Sequence, residues 1–146
     1  MPIELHSTQH LNSLSVDVIR MVSDLATYGE WVTLIESATP TADDTWTVDL
    51  AADIGPFRRS KRLRMQRTSP PDSACVTFER NEIDGRQHAT WKMTVDVAAS
   101  GAGSEVSLRL FYSGRLRLGP LERLVSDEIA ASAQRLDHVI SERAER

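Results

Sequence analysis

Cysteine is nearly absent from this chain. Cys75 is the only one in 146 residues, so no internal disulfide can staple the fold, and a reducing, cytoplasmic setting is the expectation. Long apolar runs are missing as well. No stretch exceeds three consecutive hydrophobic residues, which speaks against a transmembrane helix and a signal-peptide core. Aromatic side chains supply only 5% of the chain. Basic residues are scarce at the start: residues 1–53 hold nine acids and the single base Arg20, a balance of −8, whereas the remainder carries +4. The total of −4 argues against a generic nucleic-acid binder. No glycine-rich phosphate loop occurs, because Gly101 and Gly103 fall between two strand patterns with no helix following.

The residues that are present sort into alternating and helical patterns. Pro2–Ser7 alternates as a half-buried strand. From Ser15, read as an N-cap with Asp17 in the first turn, Ile19, Val22 and Leu25/Ala26 share a helical face that Tyr28-Gly29 interrupts. Trp31, Leu34 and Ile35 recur at the spacing of a second short helix. Beyond a turn at Pro40–Asp44, strand patterns follow one another without an intervening helix, which means an antiparallel sheet. Trp46, Val48 and Leu50 alternate with polar residues, Gly55-Pro56 breaks the chain, and a basic segment 57–68 precedes Pro70-Pro71-Asp72.

Asp84-Gly85 between Ile83 and Arg86 is a two-residue hairpin signal of type I′. The register it predicts sets Phe78 opposite Trp91, Val76 opposite Met93 and Cys75 opposite Thr94. Val76, Phe78, Ala89, Trp91, Met93, Val95 and Val97 then share the apolar face, and Thr77, Glu79, Thr90, Lys92, Thr94 and Asp96 the polar one. After the turn at Ser100–Ser104, Val106, Leu108, Leu110 and Tyr112 alternate with polar residues and one apolar exception, Phe111. Gly119-Pro120 opens a long final helix with Pro at its first position. Leu121, Leu124, Val125, Ile129, Leu136, Val139 and Ile140 form its apolar stripe.

Residues 1–146 therefore read as one domain of the α+β class. The expected fold is a curved antiparallel sheet of about seven strands, in the order strand, two helices, about six strands, helix, wrapped around the long C-terminal helix. The segments Ser23-Asp24-Leu25-Ala26-Thr27-Tyr28-Gly29-Glu30-Trp31 and Leu118-Gly119-Pro120-Leu121-Glu122, in this order of elements, resemble the START-like or SRPBCC helix-grip superfamily. That group includes the birch pollen allergen and bacterial polyketide cyclase/dehydrase-like proteins. The resemblance implies a cavity between sheet and last helix that holds a small hydrophobic, lipid- or polyketide-like molecule. It also leaves open a polyketide cyclase or dehydratase, or a non-enzymatic adaptor with a filled core, since fold alone does not select among them.

Candidate site residues come from the inner face. Trp46, Phe78, Trp91, Met93 and Leu110 either line a cavity or fill the core. Extending the same face gives Arg80 and Glu82, with Gln87 opposite, and Tyr112 on the next strand. Buried charge is costly unless paired, so these residues either orient a ligand's polar end or simply reach water where the sheet ends. No inward carboxylate except Glu82 and no inward histidine offers acid–base chemistry, so no catalytic residue is assigned. His6, His10, His88 and His138 lack metal-ligand spacing, His6 and His88 fall on solvent faces, and neither a metal nor a cofactor is expected. Cys75 reads as an inert thiol.

Six bases (Arg58, Arg59, Lys61, Arg62, Arg64 and Arg67) crowd into ten positions. Arg58, Arg62 and Arg64 share one strand face, while Arg59, Lys61 and Arg67 share the other with Leu63 and Met65. Asp43, Asp44, Asp49 and Asp53 on the preceding strand would meet them through a hairpin at Ile54-Gly55-Pro56. Cross-strand pairing is therefore preferred to a nucleic-acid patch, which would want stacking aromatics, or to contact with an anionic membrane surface. The expected assembly is a monomer or weak homodimer.

Overall fold

A computed structural model describes residues 3–54, 56–113 and 119–144. Seven antiparallel strands form one curved sheet in the order β1-β7-β6-β5-β4-β3-β2. They are β1 (Ile3–Leu11), β2 (Ile35–Ala42), β3 (Thr45–Ile54), β4 (Phe57–Arg67), β5 (Cys75–Arg80), β6 (Thr90–Ser100) and β7 (Gly103–Ser113). The helix α1 (Ser15–Val22) and a 3-10 helix (Leu25–Glu30) follow β1, and α2 (Gly119–Ala144) ends the order. No helix among the described residues is long and apolar enough to cross a membrane.

The core lies between the inner sheet face and the helices. Val48, Leu63, Val76, Phe78, Val95 and Leu108 from the sheet meet Val18, Met21 and Val22 of α1 and Ala133, Leu136 and Ile140 of α2. Alternation along the strands places these residues inward, and each fully buried large side chain contributes about 1.5–3 kcal/mol. On α2, Leu124 is exposed and lies off the expected stripe, while Val125, Leu136 and Ile140 are buried. The side chain of Leu121 falls outside the described residues. Gly103 closes β7 against β1, where a Cβ would stand 2.1 Å from the Leu11 carbonyl oxygen, a position only glycine tolerates.

Four local expectations need correction. The N-cap of α1 is Leu14, without a side-chain cap, and Ser15 is already helical. The polar support comes from α2, whose Asp137 accepts the amides of Asn12 and Ser13. The first helix ends at Val22, ahead of Tyr28-Gly29, and Asp24 caps the 3-10 helix by accepting from the Ala26 amide. Trp31 ends that 3-10 helix, so Trp31, Leu34 and Ile35 form no second α-helix; Ile35 instead starts edge strand β2, which runs through Pro40 to a turn at Asp43-Asp44. Proline is tolerated there because an edge strand leaves one side unpaired.

The hairpin register is the fourth. Phe78 pairs with Met93, Val76 with Val95 and Cys75 with Asp96, a displacement of two residues from the type I′ expectation. The strands end at Arg80 and resume at Thr90, leaving a loop over 81–89. Side chains hold that loop: Asp84 accepts from the Arg86 amide, and Glu82 accepts from the Arg64 amide of β4. Gly85 has φ +73°, but Asp84 does not share the left-handed region that type I′ requires of both central residues. A shift of two preserves the faces, so Val76, Phe78, Val95 and Val97 are buried as the alternation predicts.

Candidate functional site

The inner face divides into a closed part and an incompletely covered part. Tyr28 and Trp31 from the 3-10 segment lie 4.4 Å apart, centroid to centroid. Phe78 packs edge-on to Tyr28 at 5.7 Å and to Trp46 at 5.6 Å. Trp46 and Phe78 thus fill this part of the core. Further along, Trp91 packs on buried Tyr112 at 4.7 Å, while Trp91, Met93, Leu110 and Leu50 remain only half-buried on the same inner face. The Trp91 indole Nε1 is itself buried and has no acceptor.

Arg80 interrupts this apolar surface. It pairs across the sheet with Met65, just as Trp91 pairs with Tyr112, and its side chain is only 8% exposed. Its Nε donates to Glu82 Oε1 at 3.3 Å, and Glu82 is 18% exposed. A second guanidinium nitrogen reaches the Ala89 carbonyl at 3.5 Å, and the third lies 3.3 Å from His88 Nδ1. His88 Nε2 in turn stands 2.9 Å from both Asp84 oxygens. With Arg80 donating to Nδ1, the ring carries its proton on Nε2 and donates to Asp84. The His88 contact and the Arg86 amide hold the Asp84 carboxyl below its usual range, outweighing burial.

These contacts revise the placement of two loop residues. His88 lies in the loop and touches Arg80, rather than alternating outward on a strand. Gln87 is exposed and does not face Glu82 across a ladder. Lys61 enters the group from β4. It is half-buried on the row of Leu63 and Met65, and burial together with the Arg80 charge depresses its pKa, with Glu82 opposing. Glu82, Asp84 and His88 offer ligand atoms within 4.8 Å of one another, a spacing open to a metal ion. The Arg80 guanidinium already donates to two of the three, so a fixed side-chain cation serves that cluster.

Outside the core, a groove of about 480 Å³ runs between the β1–α1 turn and α2, lined by Ser13, Leu14, Asp17, Asp137, His138 and Ile140 among others. Asp137 is fully engaged there, taking the Ser13 hydroxyl at 2.5 Å besides the two amides. Phe111 sits on the outer sheet face beside a depression of about 210 Å³ with Glu4, Lys92, Thr94 and Arg109. Glu128 of α2 accepts from the Thr33 amide and pairs with Arg135, whose Nε donates to the Trp31 carbonyl. This arrangement ties the 3-10 segment to the last helix.

Three of the six bases in the basic cluster pair with acids among the described residues. Arg62 pairs with Asp49 at 2.8 Å on directly opposed positions, Arg58 with Glu36 at 3.5 Å, and Arg67 with Asp44 at 2.5 Å. Arg67 also donates to the Ser23 carbonyl from inside the sheet. Cys75 is exposed, and its hydrogen bond to Asp96, with burial, raises the thiol pKa.

Neither a family model nor a curated protein sequence matches the chain. Solved structures match along nearly its whole length. A protein of Thermus thermophilus aligns with TM-score 0.72 at 16% identity, covering 97% of this chain and 99% of its own. The Zhui aromatase/cyclase of Streptomyces sp. R1128 gives 0.71 at 12% identity, with 99% and 96% covered. A START superfamily protein of Mycobacterium smegmatis gives 0.72 at 13%, with 95% and 97% covered. Identity at this level speaks to architecture alone. The strand order, the curved sheet and the long last helix, together with these alignments, show that the chain has the START-like helix-grip fold.

Proposed function

We propose that this chain holds a small hydrophobic molecule between the inner face of the sheet and α2. The observation that carries the reading is the juxtaposition of a largely buried Arg80–Glu82 ion pair with half-buried Trp91, Met93 and Leu110 on one concave face. Binding sites of this kind combine apolar walls with a few fixed polar groups. Trp91, Met93 and Leu110 are the walls, Arg80, Glu82 and Tyr112 stand at the polar end, and Trp46 and Phe78 back them from the filled core. Enclosure in this fold is also what the resemblance to START-like proteins implies.

Native mass spectrometry of the purified protein tests it, with intrinsic tryptophan fluorescence as a second readout. A co-purified apolar mass is expected, and in its absence a quench or blue shift of Trp91 as an added apolar compound binds. Leu110→Trp, which puts a bulkier side chain directly across from Met93, should remove that response. If no apolar compound is retained and none changes the emission, the reading is overturned.

A cyclisation or dehydration reaction is the second reading, and the His88–Asp84 pair beside Arg80 favours it as an acid–base element. Chemical conversion of a bound polyketide-like compound, lost in His88→Gln, would establish it. Recovery of the ligand unchanged would leave binding alone.

A further inference from the structure

We infer that the molecule held on the inner face is an acid, a hydrophobic body carrying one negative charge, whose headgroup lies at Lys61 and Arg80. This rests on the ligand-binding reading above and specifies its chemical class.

Donors outnumber acceptors at this end of the sheet. An arginine presents five N–H groups; the contacts to Glu82, Ala89 and His88 engage three of them. Lys61 adds three donors on an inward row, and it makes no ion pair among the described residues. The Trp91 indole N–H, on the same face, is buried without an acceptor. Against these stands Glu82, whose Oε1 already receives both the Arg64 amide and Arg80 Nε.

Charge gives the same sign. On the inward rows Lys61 and Arg80 stand against the one carboxylate Glu82, which leaves one positive charge over. Asp84 lies on the solvent side of the group, exposed and taken by His88. Lys61 is partly buried on the inward row of Leu63 and Met65, where burial and then the Arg80 charge disfavour its cationic form, with Glu82 opposing, an arrangement that an incoming carboxylate relieves. A neutral alcohol or ketone satisfies one donor and leaves the charge uncompensated. A carboxylate accepts from both cations through charge-assisted hydrogen bonds.

The test is calorimetric titration with two matched pairs of probes: dodecanoate against dodecan-1-ol, and naphthalene-2-carboxylate against naphthalene-2-methanol. At least one acid should bind about tenfold or more tightly than its alcohol, the size of one net ionic contact. Lys61→Met should bring the acid's affinity down toward the alcohol's, with circular dichroism confirming the fold. Arg80→Lys, which keeps a charge but loses the planar fork, should weaken the acid by a smaller factor. Equal affinity of acid and alcohol overturns the inference while leaving hydrophobic binding intact. Binding of neither pair overturns the ligand reading and this inference with it. An acid preference unchanged in Lys61→Met would place the headgroup elsewhere and overturn the assignment.

Discussion

Asp137 of α2 receives the Ser13 hydroxyl at 2.5 Å and the Ser13 amide at 3.0 Å, joining positions 124 residues apart. One carboxylate therefore satisfies the two amides of the β1–α1 turn just ahead of the Leu14 cap position, and it docks the last helix on that turn. Burial alone would raise the Asp137 pKa, but the Ser13 and Asn12 contacts and the nearby His10 charge outweigh it and hold the carboxyl below its usual range. Asp137→Ala should lower unfolding stability by about 1–3 kcal/mol, because two amides lose their acceptor.

The pH dependence of that loss has a definite sign. A carboxyl with a depressed folded-state pKa stabilises fully above its unfolded value near 3.9, and the contribution disappears as pH falls toward the folded value. Thermal unfolding of the parent and Asp137→Asn should differ most at pH 6–7 and converge in the acid range below about pH 4. A difference that grows on acidification would contradict the assignment.

Tyr28 gives the opposite limb. Its hydroxyl donates to the Val22 carbonyl at 2.7 Å in a fully buried setting, and burial, with the Asp24 charge, raises its pKa well above the ordinary value. Stability from this group is complete below an unfolded pKa of about 10 and is lost as pH rises beyond it. Tyr28→Phe should lose about 1 kcal/mol at neutral pH and show a shallower loss of stability in alkali. In the parent, absorbance at 295 nm should report Tyr28 ionisation only together with unfolding.

The Arg80–Glu82 pair is testable by a double-mutant cycle in urea. Arg80→Met strands a largely buried carboxylate and should cost roughly 2–4 kcal/mol, reduced from a fully buried case because the Arg64 amide still reaches Glu82. Adding Glu82→Gln to Arg80→Met should recover much of the loss, since removing both charges removes the stranded one. Additive losses would mean the two side chains are not coupled.

Cys75 should alkylate slowly for an exposed thiol. Its bond to Asp96 favours the protonated form, and the thiolate is the reactive species. Iodoacetamide at pH 7.5 is expected to react several-fold more slowly than with an unstructured cysteine peptide, and Asp96→Asn should speed the reaction.

Alternation was the legible part of the fold. The inward identities of Val76, Phe78, Trp91, Val95 and Leu108 follow from a period of two that any even register shift preserves. The hairpin register did not follow, because Glu82 binds the Arg64 amide and Asp84 the Arg86 amide, side-chain contacts that override the intrinsic preference of Asp-Gly. Edge strand β2 was masked by the helical spacing of Trp31, Leu34 and Ile35 and by Pro40. At the site, Arg80 and Glu82 follow from strand parity, and the parity of Leu63 and Met65 also puts Lys61 inward. What parity does not carry is which inward groups meet: Lys61 nearing Arg80 and His88 folding back onto it depend on β4 and the loop converging in space.

Pro40 has a consequence for how molecules meet one another. Strand β2 forms one border of the sheet, and there Pro40 removes a backbone donor while register shifts at Ile35–Ser37 and Pro40–Ala42 bend the strand. The opposite border, β1, packs against α2. A neighbouring chain seeking to extend the sheet thus finds an irregular rim on one side and a helix against the other, so crowded copies of this protein should resist stacking edge to edge into fibrils.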